Sequence, residues 1–274
     1  MIKNMKKSLK EILCDLHLPA IRDGFAEAAE QARREGISYE EYLLDLLLRE
    51  QEARKQNRIV RLLKESKLPL EKSLETLEQN WLSNKVRQQI KLLADGEFLD
   101  RRENILVFGN PGTGKTHLLC AIGQELVKKG RAILFTTCSL LVQELLVAKR
   151  DLKLPWFLRR LSRFEGIIID DIGYVQQSRE EMEVLFTLLA ERYERGSILL
   201  TSNLEFSKWE KIFKDPMVTA AAIDRLVHHS IILEVNCKSY RMEKAREKIK
   251  TLPSTTKEAE IPQGGVKENQ SINL

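Results

Sequence analysis

One segment, residues 109–116, limits the possible folds of this chain more than any other. It matches the pattern G-x-x-x-x-G-K-[ST], in which glycines let the backbone turn tightly, so that successive N–H groups point at phosphate oxygens. An apolar run precedes it and apolar residues at helical spacing follow it, which predicts a strand, a phosphate loop and a helix. The predicted nucleotide-contacting residues are Gly109, Asn110, Pro111, Gly112, Thr113, Gly114, Lys115, Thr116 and His117.

The chemistry of this loop predicts its ligands. We expect Lys115 to reach the β- and γ-phosphates and the Thr116 hydroxyl to bind Mg²⁺, while the helix that begins at Lys115 adds the positive end of its dipole. A nucleoside triphosphate, ATP, and Mg²⁺ are therefore the expected cofactors.

Similar apolar runs recur after residue 100, and helical stretches separate them. The runs lie at residues 104–108, 132–136, 166–169, 197–201 and 231–235. Runs of this length are typical of strands buried on both faces. Strands that alternate with helices predict an α/β fold with a parallel sheet flanked by helices.

The first part of the chain has only helical signals. One helix is predicted over residues 19–35, and another begins at a capping box, Ser38 with Glu41, and ends at about residue 64. We predict an all-helical N-terminal domain at residues 1–70 that binds DNA or a partner, an ATPase domain at 71–245, and a disordered polar tail at 246–274.

Polar residues follow two of the later strands. Asp170 and Asp171 end the strand at 166–169, where the first acid is expected to bind Mg²⁺ and the second to orient or deprotonate the attacking water. Asn203 follows the next strand, where an amide is suited to hold that water in line. The alternative for the two acids is that they cap the next helix or turn, and the alternative for Asn203 is a strand-end turn.

An arginine farther along, Arg225, has two interpretations. An arginine can stabilise transition-state charge on a neighbouring subunit's γ-phosphate. It can also be a solvated or salt-bridged surface residue, and spacing alone favours this second interpretation.

The composition limits the class of protein but does not identify a binding partner. The net charge of +5 permits an anionic partner and does not require one. The four cysteines form no C-x-x-C pair, so we expect neither zinc binding nor a disulfide framework. With no signal peptide or apolar stretch of membrane-spanning length in the sequence, we expect a cytoplasmic protein that does not bind a membrane.

Two basic stretches are candidates for DNA contact. The first follows one face of the long N-terminal helix, and the second interleaves basic residues with aromatic ones. A solvated helix face is the alternative for both, and the N-terminal helices are equally suited to a partner protein. The candidates are Arg54, Arg58, Arg61, Lys153, Arg159 and Arg160.

These motifs together resemble a known family. The order GNPGTGKTH, IIIDDIGY, LLTSN, DRLVHHS and Ser239-Tyr240-Arg241 is similar to the IstB/DnaC-like branch of the AAA+ ATPases. Segments in the helical lead-in, such as residues 18–21, 39–43 and 72–77, resemble IstB more than the helicase loaders. The resemblance covers roughly residues 10 to 245.

The resemblance implies roles for individual residues. It implies nucleotide and metal binding by the phosphate loop, Mg²⁺ binding by Asp170, water activation by Asp171, a first sensor at Asn203, and an inter-subunit arginine finger at Arg225. It also implies a sensor-like role for Arg241. Many AAA+ ATPases have Glu at the position of Asp171, and too little chain follows residue 235 for a full lid domain.

The resemblance also implies a function. It implies an ATP-dependent transposition helper that forms a ring-shaped or helical homo-oligomer on duplex DNA, aids target selection and stimulates the transposase of its insertion sequence. The alternatives are a replicative helicase loader of the DnaC type, an ATP-gated assembly switch with little turnover, and a small-molecule phosphotransferase, for which we find no acceptor pocket in the sequence.

Overall fold

The computed structural model describes residues 2–78, 82–172, 178–209, 216–235 and 239–240. Three helices come first: α1 (Ile2–Asp15), α2 (Pro19–Glu35) and α3 (Tyr39–Ser66). The predicted bounds of α2 are confirmed, and α3 ends two residues later than predicted. Ser38 forms the predicted capping box with Glu41, since each side chain accepts the other residue's backbone N–H.

The three helices pack around a small apolar cluster of Ile21, Phe25, Ala28 and Leu46. A buried carboxylate, Glu50 on α3, accepts the backbone N–H groups of Ala20 at 2.8 Å and Ile21 at 3.2 Å. These N–H groups lie in the first turn of α2, so Glu50 caps that helix from its neighbour.

The rest of the chain alternates between helices and strands. In order, the elements are α4 (Asn84–Asp95), α5 (Glu97–Asp100), β1 (Asn104–Phe108), α6 (Lys115–Lys128), β2 (Ile133–Thr137), α7 (Cys138–Arg150), α8 (Leu154–Leu161), β3 (Gly166–Ile172), α9 (Arg179–Arg192), β4 (Ser197–Ser202), a 3₁₀ turn (Phe206–Lys208), α10 (Pro216–Val227) and β5 (Ser230–Glu234). All five predicted strands are present. Their ends agree within one residue, except that β3 runs three residues further.

The five strands form one parallel sheet in the order β2-β3-β4-β1-β5. Alternate residues of a strand enter different apolar layers, as the pleat requires: Leu106 of β1 packs with α7 and α9, whereas Ile105 and Val107 pack with α4 and α6. The predicted fold class, a parallel sheet flanked by helices and preceded by a helical region, is confirmed. The described part of the chain contains no helix that is both long and apolar enough to cross a membrane.

The strand order places the predicted site residues together. Strands β3, β4 and β1 are consecutive neighbours, and because they are parallel their carboxyl ends lie at the same edge of the sheet. The phosphate loop follows β1, the two acids end β3, and Asn203 follows β4. The site therefore forms where open α/β sheets usually bind ligands.

Candidate functional site

The phosphate loop connects β1 to α6 and depends on its glycines. A Cβ at Gly109 would lie 2.5 Å from the carbonyl oxygen of Val235, so no larger residue fits there. Gly114 has φ +91° immediately before α6, a backbone conformation that side-chain-bearing residues rarely adopt. The loop thus favours glycine at Gly109 because of the close Val235 carbonyl and at Gly114 because of the positive φ.

The side chain of Lys115 is buried inside this loop. Its ammonium group donates to the carbonyl oxygens of Gly109 at 2.8 Å and Asn110 at 3.0 Å. Thr113 donates to the same Asn110 carbonyl at 2.9 Å. The lysine charge is therefore held at the centre of the loop, where a phosphate oxygen can replace the carbonyl contacts.

A chain of hydrogen bonds links the loop to the acids on β3. The hydroxyls of Thr116 and Thr201 both donate to Oδ1 of Asp170, at 2.8 and 2.7 Å. Thr201 Oγ1 in turn accepts the backbone N–H of Asp171 at 2.8 Å. Thr201 is fully buried at the end of β4, and the sequence analysis did not assign it a role. The sequence signal was the polar end of the strand, where Thr201 and Ser202 follow the apolar residues 198–200.

An irregularity in β3 gives the two acids different environments. The pairing of β3 with β4 shifts register between Ile169 and Ile172, and Asp171 has φ +65°. A bulge of this kind bends a strand and redirects its side chains. Asp170 is buried against the phosphate loop, whereas Asp171 is exposed and lines the cavity over the loop.

That cavity has a volume of about 310 Å³, and many of the predicted site residues line it. Its walls include Lys115, Thr116, His117, Asp171 and Asn203. The Oδ1 atom of Asn203 is buried and accepts no hydrogen bond from the described residues. A buried acceptor without a partner carries a free-energy cost, and at a ligand site it indicates a donor supplied by a ligand or water.

The cavity also has walls that the sequence analysis did not predict. Lys72 and Tyr240 line it, and Tyr240 donates its backbone N–H to Gly112 at 3.1 Å. The Tyr240 hydroxyl donates to Glu78 at 2.8 Å. The neighbouring residue with a predicted sensor-like role, Arg241, lies outside the described residues.

The segment between α3 and α4 reaches the cavity because α6 holds it there. The Nε2 atom of His117 lies 2.9 Å from the Ser73 carbonyl oxygen and 3.1 Å from the Thr76 hydroxyl. Gln124, one to two turns later on α6, donates to the carbonyls of Pro69 at 2.8 Å and Lys72 at 3.1 Å. We call residues 67–78 the connector. His117 thus contacts the connector as well as the cavity.

Arg225 lies away from this cavity. Its backbone carbonyl and that of Leu226 face the side chain of Asn104, the first residue of β1, at 3.5 and 3.1 Å. The phosphate loop follows the other end of the same strand, about 13 Å away at about 3.3 Å per residue. The guanidinium donates to the Ala221 carbonyl at 2.9 Å and stacks 4.8 Å from the ring of Phe186.

The N-terminal arginines make different local contacts. Arg54 pairs with Glu50 at 2.9 Å and donates to the His17 carbonyl at 2.7 Å. Arg58 donates to the carbonyl of Gly130 at 3.2 Å, and Arg61 lies 4.0 Å from Glu65. All three remain exposed to solvent.

The second basic stretch lies on α8 and the turn before it. Lys153 is 3.8 Å from Asp151, and the guanidinium of Arg160 lies 5.7 Å from the ring centre of Trp156 and 4.7 Å from that of Phe157. Arg159 lies on the same helix. Trp156 keeps 60% of its surface exposed.

Comparison with known proteins gives a consistent result. Residues 11–248 match the family model described as IstB-like ATP binding protein. A relative from Sinorhizobium fredii, named as an insertion sequence ATP-binding protein, is 41% identical over 90% of this chain and 85% of its own length. One from Geobacillus stearothermophilus, named in the same way, is 38% identical over 88% of this chain and 96% of its own.

A solved structure supports the fold alone. AMPPCP-bound DnaA from Aquifex aeolicus is similar with a TM-score of 0.52 at 18% identity. The similarity covers 69% of this chain, which spans 57% of that one. Because the family model covers most of the chain and the sequence relatives match over nearly their full length, the chain belongs to the family of IstB-like ATP binding proteins.

Proposed function

We propose that this protein hydrolyses ATP with Mg²⁺, assembles as a homo-oligomer on duplex DNA, and in that form stimulates the transposase of its insertion sequence. The names of its sequence relatives, which refer to insertion sequences and ATP, support the setting. The geometry of the nucleotide cavity supports the chemistry, and the position of Arg225 supports the assembly.

The residues of the site fit a nucleotide with its metal ion. The Thr116 hydroxyl and the Asp170 carboxylate are 2.8 Å apart, and both are oxygen ligands of the kind that Mg²⁺ prefers. Bound there, Mg²⁺ would neutralise phosphate charge. Lys115 already occupies the centre of the loop with its charge buried, where it is suited to bind the β- and γ-phosphates.

Two side chains are suited to handle the attacking water. Asp171 is exposed to the cavity and can accept a proton from the attacking water. Asn203 lines the same cavity, and its unpaired Oδ1 is available as the acceptor that fixes the orientation of the water. Asp171 is one methylene shorter than the Glu of many AAA+ ATPases, so we expect slow turnover in the isolated subunit.

The position of Arg225 is the observation that supports the proposed homo-oligomer. The backbone of this residue faces the first residue of β1, about one strand length from the phosphate loop that follows β1. An arginine so placed cannot complete the nucleotide site of its own chain. We propose that it stabilises transition-state charge in a neighbouring subunit, as arginine fingers do.

A mixing experiment tests this proposal. Neither Arg225→Ala nor Lys115→Ala should hydrolyse ATP alone, whereas an equal mixture should recover about a quarter of the wild-type rate if sites pair at random between adjacent subunits. Arg195→Ala, which removes an exposed arginine that pairs with Glu191, serves as the control and should retain full activity. A mixture that stays as inactive as its components would contradict action between subunits.

DNA contact is tested separately by salt dependence. Replacing Arg58 and Arg61 with glutamine should weaken duplex binding and reduce the slope of log affinity against log salt by about 2. Arg33→Gln with Arg34→Gln, in the last turn of α2, gives the same change in charge as a control. Equal slopes for both double variants would remove α3 from the DNA interface.

Co-purification with transposase, compared with co-purification with replicative helicase, distinguishes a transposition helper from a helicase loader.

A further inference from the structure

A cluster of one carboxylate and two imidazoles lies outside the nucleotide site. Glu194 follows α9, and His228 and His229 follow α10. One potential ligand atom from each residue lies within 4.8 Å of the other two, and all three residues are exposed. His229 Nε2 and Glu194 Oε1 are 3.9 Å apart.

The backbone beneath these side chains is held in place. Glu194 has φ +57°, and its carbonyl accepts a hydrogen bond from Arg102 at 2.6 Å. The carbonyl of His229 accepts the N–H of Asn104 at 2.7 Å. Binding an ion would therefore require rotation of side chains and no rearrangement of the chain.

A fourth residue orients one of the imidazoles. The hydroxyl of Tyr193 lies 3.1 Å from Nδ1 of His228. Histidines that bind metal ions usually have such a partner on the ring, which fixes the orientation of the ligand.

We propose that Glu194, His228 and His229 form a binding site for a borderline transition-metal ion, with Zn²⁺ as the best match. Two imidazoles and a carboxylate are a common protein ligand set for Zn²⁺, with water in the fourth position. Ligand atoms in a tetrahedral site with bonds of about 2.1 Å lie about 3.4 Å apart, so the cluster must contract by about 1.4 Å at most. Mg²⁺, which prefers oxygen ligands, does not match this set.

The site lies next to a residue with a proposed role in assembly. His228 is three residues after Arg225, on the surface that would face a neighbouring subunit. Metal binding itself needs only one chain. It can therefore be measured without nucleotide or DNA, and its outcome does not depend on the proposed ATPase or its assembly.

The test is Zn²⁺ titration of the full chain against a chromophoric chelator, with Co²⁺ absorption as a report of tetrahedral geometry. The protein carries Cys14→Ser and Cys237→Ser, because Cys14 is an exposed thiol that would compete for Zn²⁺ and Cys237 lies outside the described residues. We expect one Zn²⁺ per chain, unaffected by excess Mg²⁺.

Variants distinguish this site from general affinity of histidine for metals. His229→Gln and Glu194→Gln should each weaken Zn²⁺ binding by more than tenfold, and Tyr193→Phe should weaken it by about tenfold. His17→Gln, another histidine of the chain, should change nothing. Equal Zn²⁺ affinity in wild type, His229→Gln and His17→Gln, or a Co²⁺ spectrum of a purely hydrated ion, would overturn the proposal. Circular dichroism checks that each variant is folded.

Discussion

The buried hydroxyl of Thr201 gives the sharpest test of how the nucleotide site is built. It donates to Asp170 at 2.7 Å and accepts the N–H of Asp171 at 2.8 Å, so it fixes both acids relative to the phosphate loop. Thr201→Val keeps the shape of the side chain and removes both hydrogen bonds. It leaves the Asp171 N–H without this acceptor and Asp170 with one donor fewer.

The cost can be worked from these two contacts. A hydrogen bond to a charged group contributes about 1.5–3 kcal/mol, and a neutral one contributes about 1 kcal/mol. We therefore expect Thr201→Val to lower the free energy of unfolding by about 2–4 kcal/mol in urea titrations. We also expect turnover to fall by about tenfold or more while ATP affinity changes little, because Lys115 and the loop remain intact.

A matched control isolates this effect from the loss of any buried hydroxyl. Thr136→Val lies on β2, where the hydroxyl is also buried but makes only a 3.3 Å contact with the Thr137 carbonyl. Thr201→Ser, which keeps the hydroxyl, should restore most of the activity. If Thr201→Val resembles Thr136→Val in both stability and turnover, Thr201 does not position the acids and the reasoning is refuted.

Two further predictions concern stability. At Glu50, burial raises the pKa, but the hydrogen bonds from Arg54, Ile21 and Ala20 outweigh burial, so the pKa is lowered overall. The ionised Glu50 side chain therefore stabilises the folded protein fully above the unfolded pKa of about 4.3. This contribution is lost as the pH falls through the lower pKa of the folded state. Glu50→Gln should therefore cost about 1–3 kcal/mol at pH 7 and progressively less in acid, measured by urea unfolding across pH, whereas Glu52→Gln, exposed on the same helix, should cost little at any pH. Arg192 is buried, which lowers its pKa to about 10, and it donates to four backbone carbonyls that lie in α8, in the two residues 164 and 165 before β3, and in β4. Arg192→Met should lower the free energy of unfolding by about 3–5 kcal/mol, against less than about 1 kcal/mol for the exposed Arg195→Met, and equal losses would contradict the assigned role of the buried guanidinium.

Local sequence patterns were sufficient to predict the helices and strands and part of the candidate site. The apolar runs predicted every strand, and the capping box at Ser38 predicted the start of α3, because these signals depend on residues close together in sequence. The phosphate loop and the two acids could be paired because parallel strands bring their carboxyl ends to one edge. The sheet order, in which β4 lies between β3 and β1, required the structure.

The remaining features depend on contacts between distant segments. Thr201 bonds to residues 30 and 31 positions earlier, and its own neighbourhood in sequence is that of an ordinary strand end. Arg54 was predicted as part of a DNA-binding row, but the buried carboxylate of Glu50 that it contacts is recognisable only when α2 is packed against α3. Patterns of spacing show which residues share a face and give no information on what lies opposite.

The connector links the N-terminal helices to the cavity over the phosphate loop. The cores of the two regions overlap along the chain, since Leu62 of α3 and Leu68 of the connector pack with α6 in the apolar layer beside the sheet. Lys72 lines the nucleotide cavity, while Gln124 and His117 hold the connector on the same helix that begins with Lys115. The connector is continuous with α3 at one end and lines the cavity at Lys72. We therefore expect a ligand that displaces Lys72 to strain the connector, because covalent continuity and packing both join it to α3.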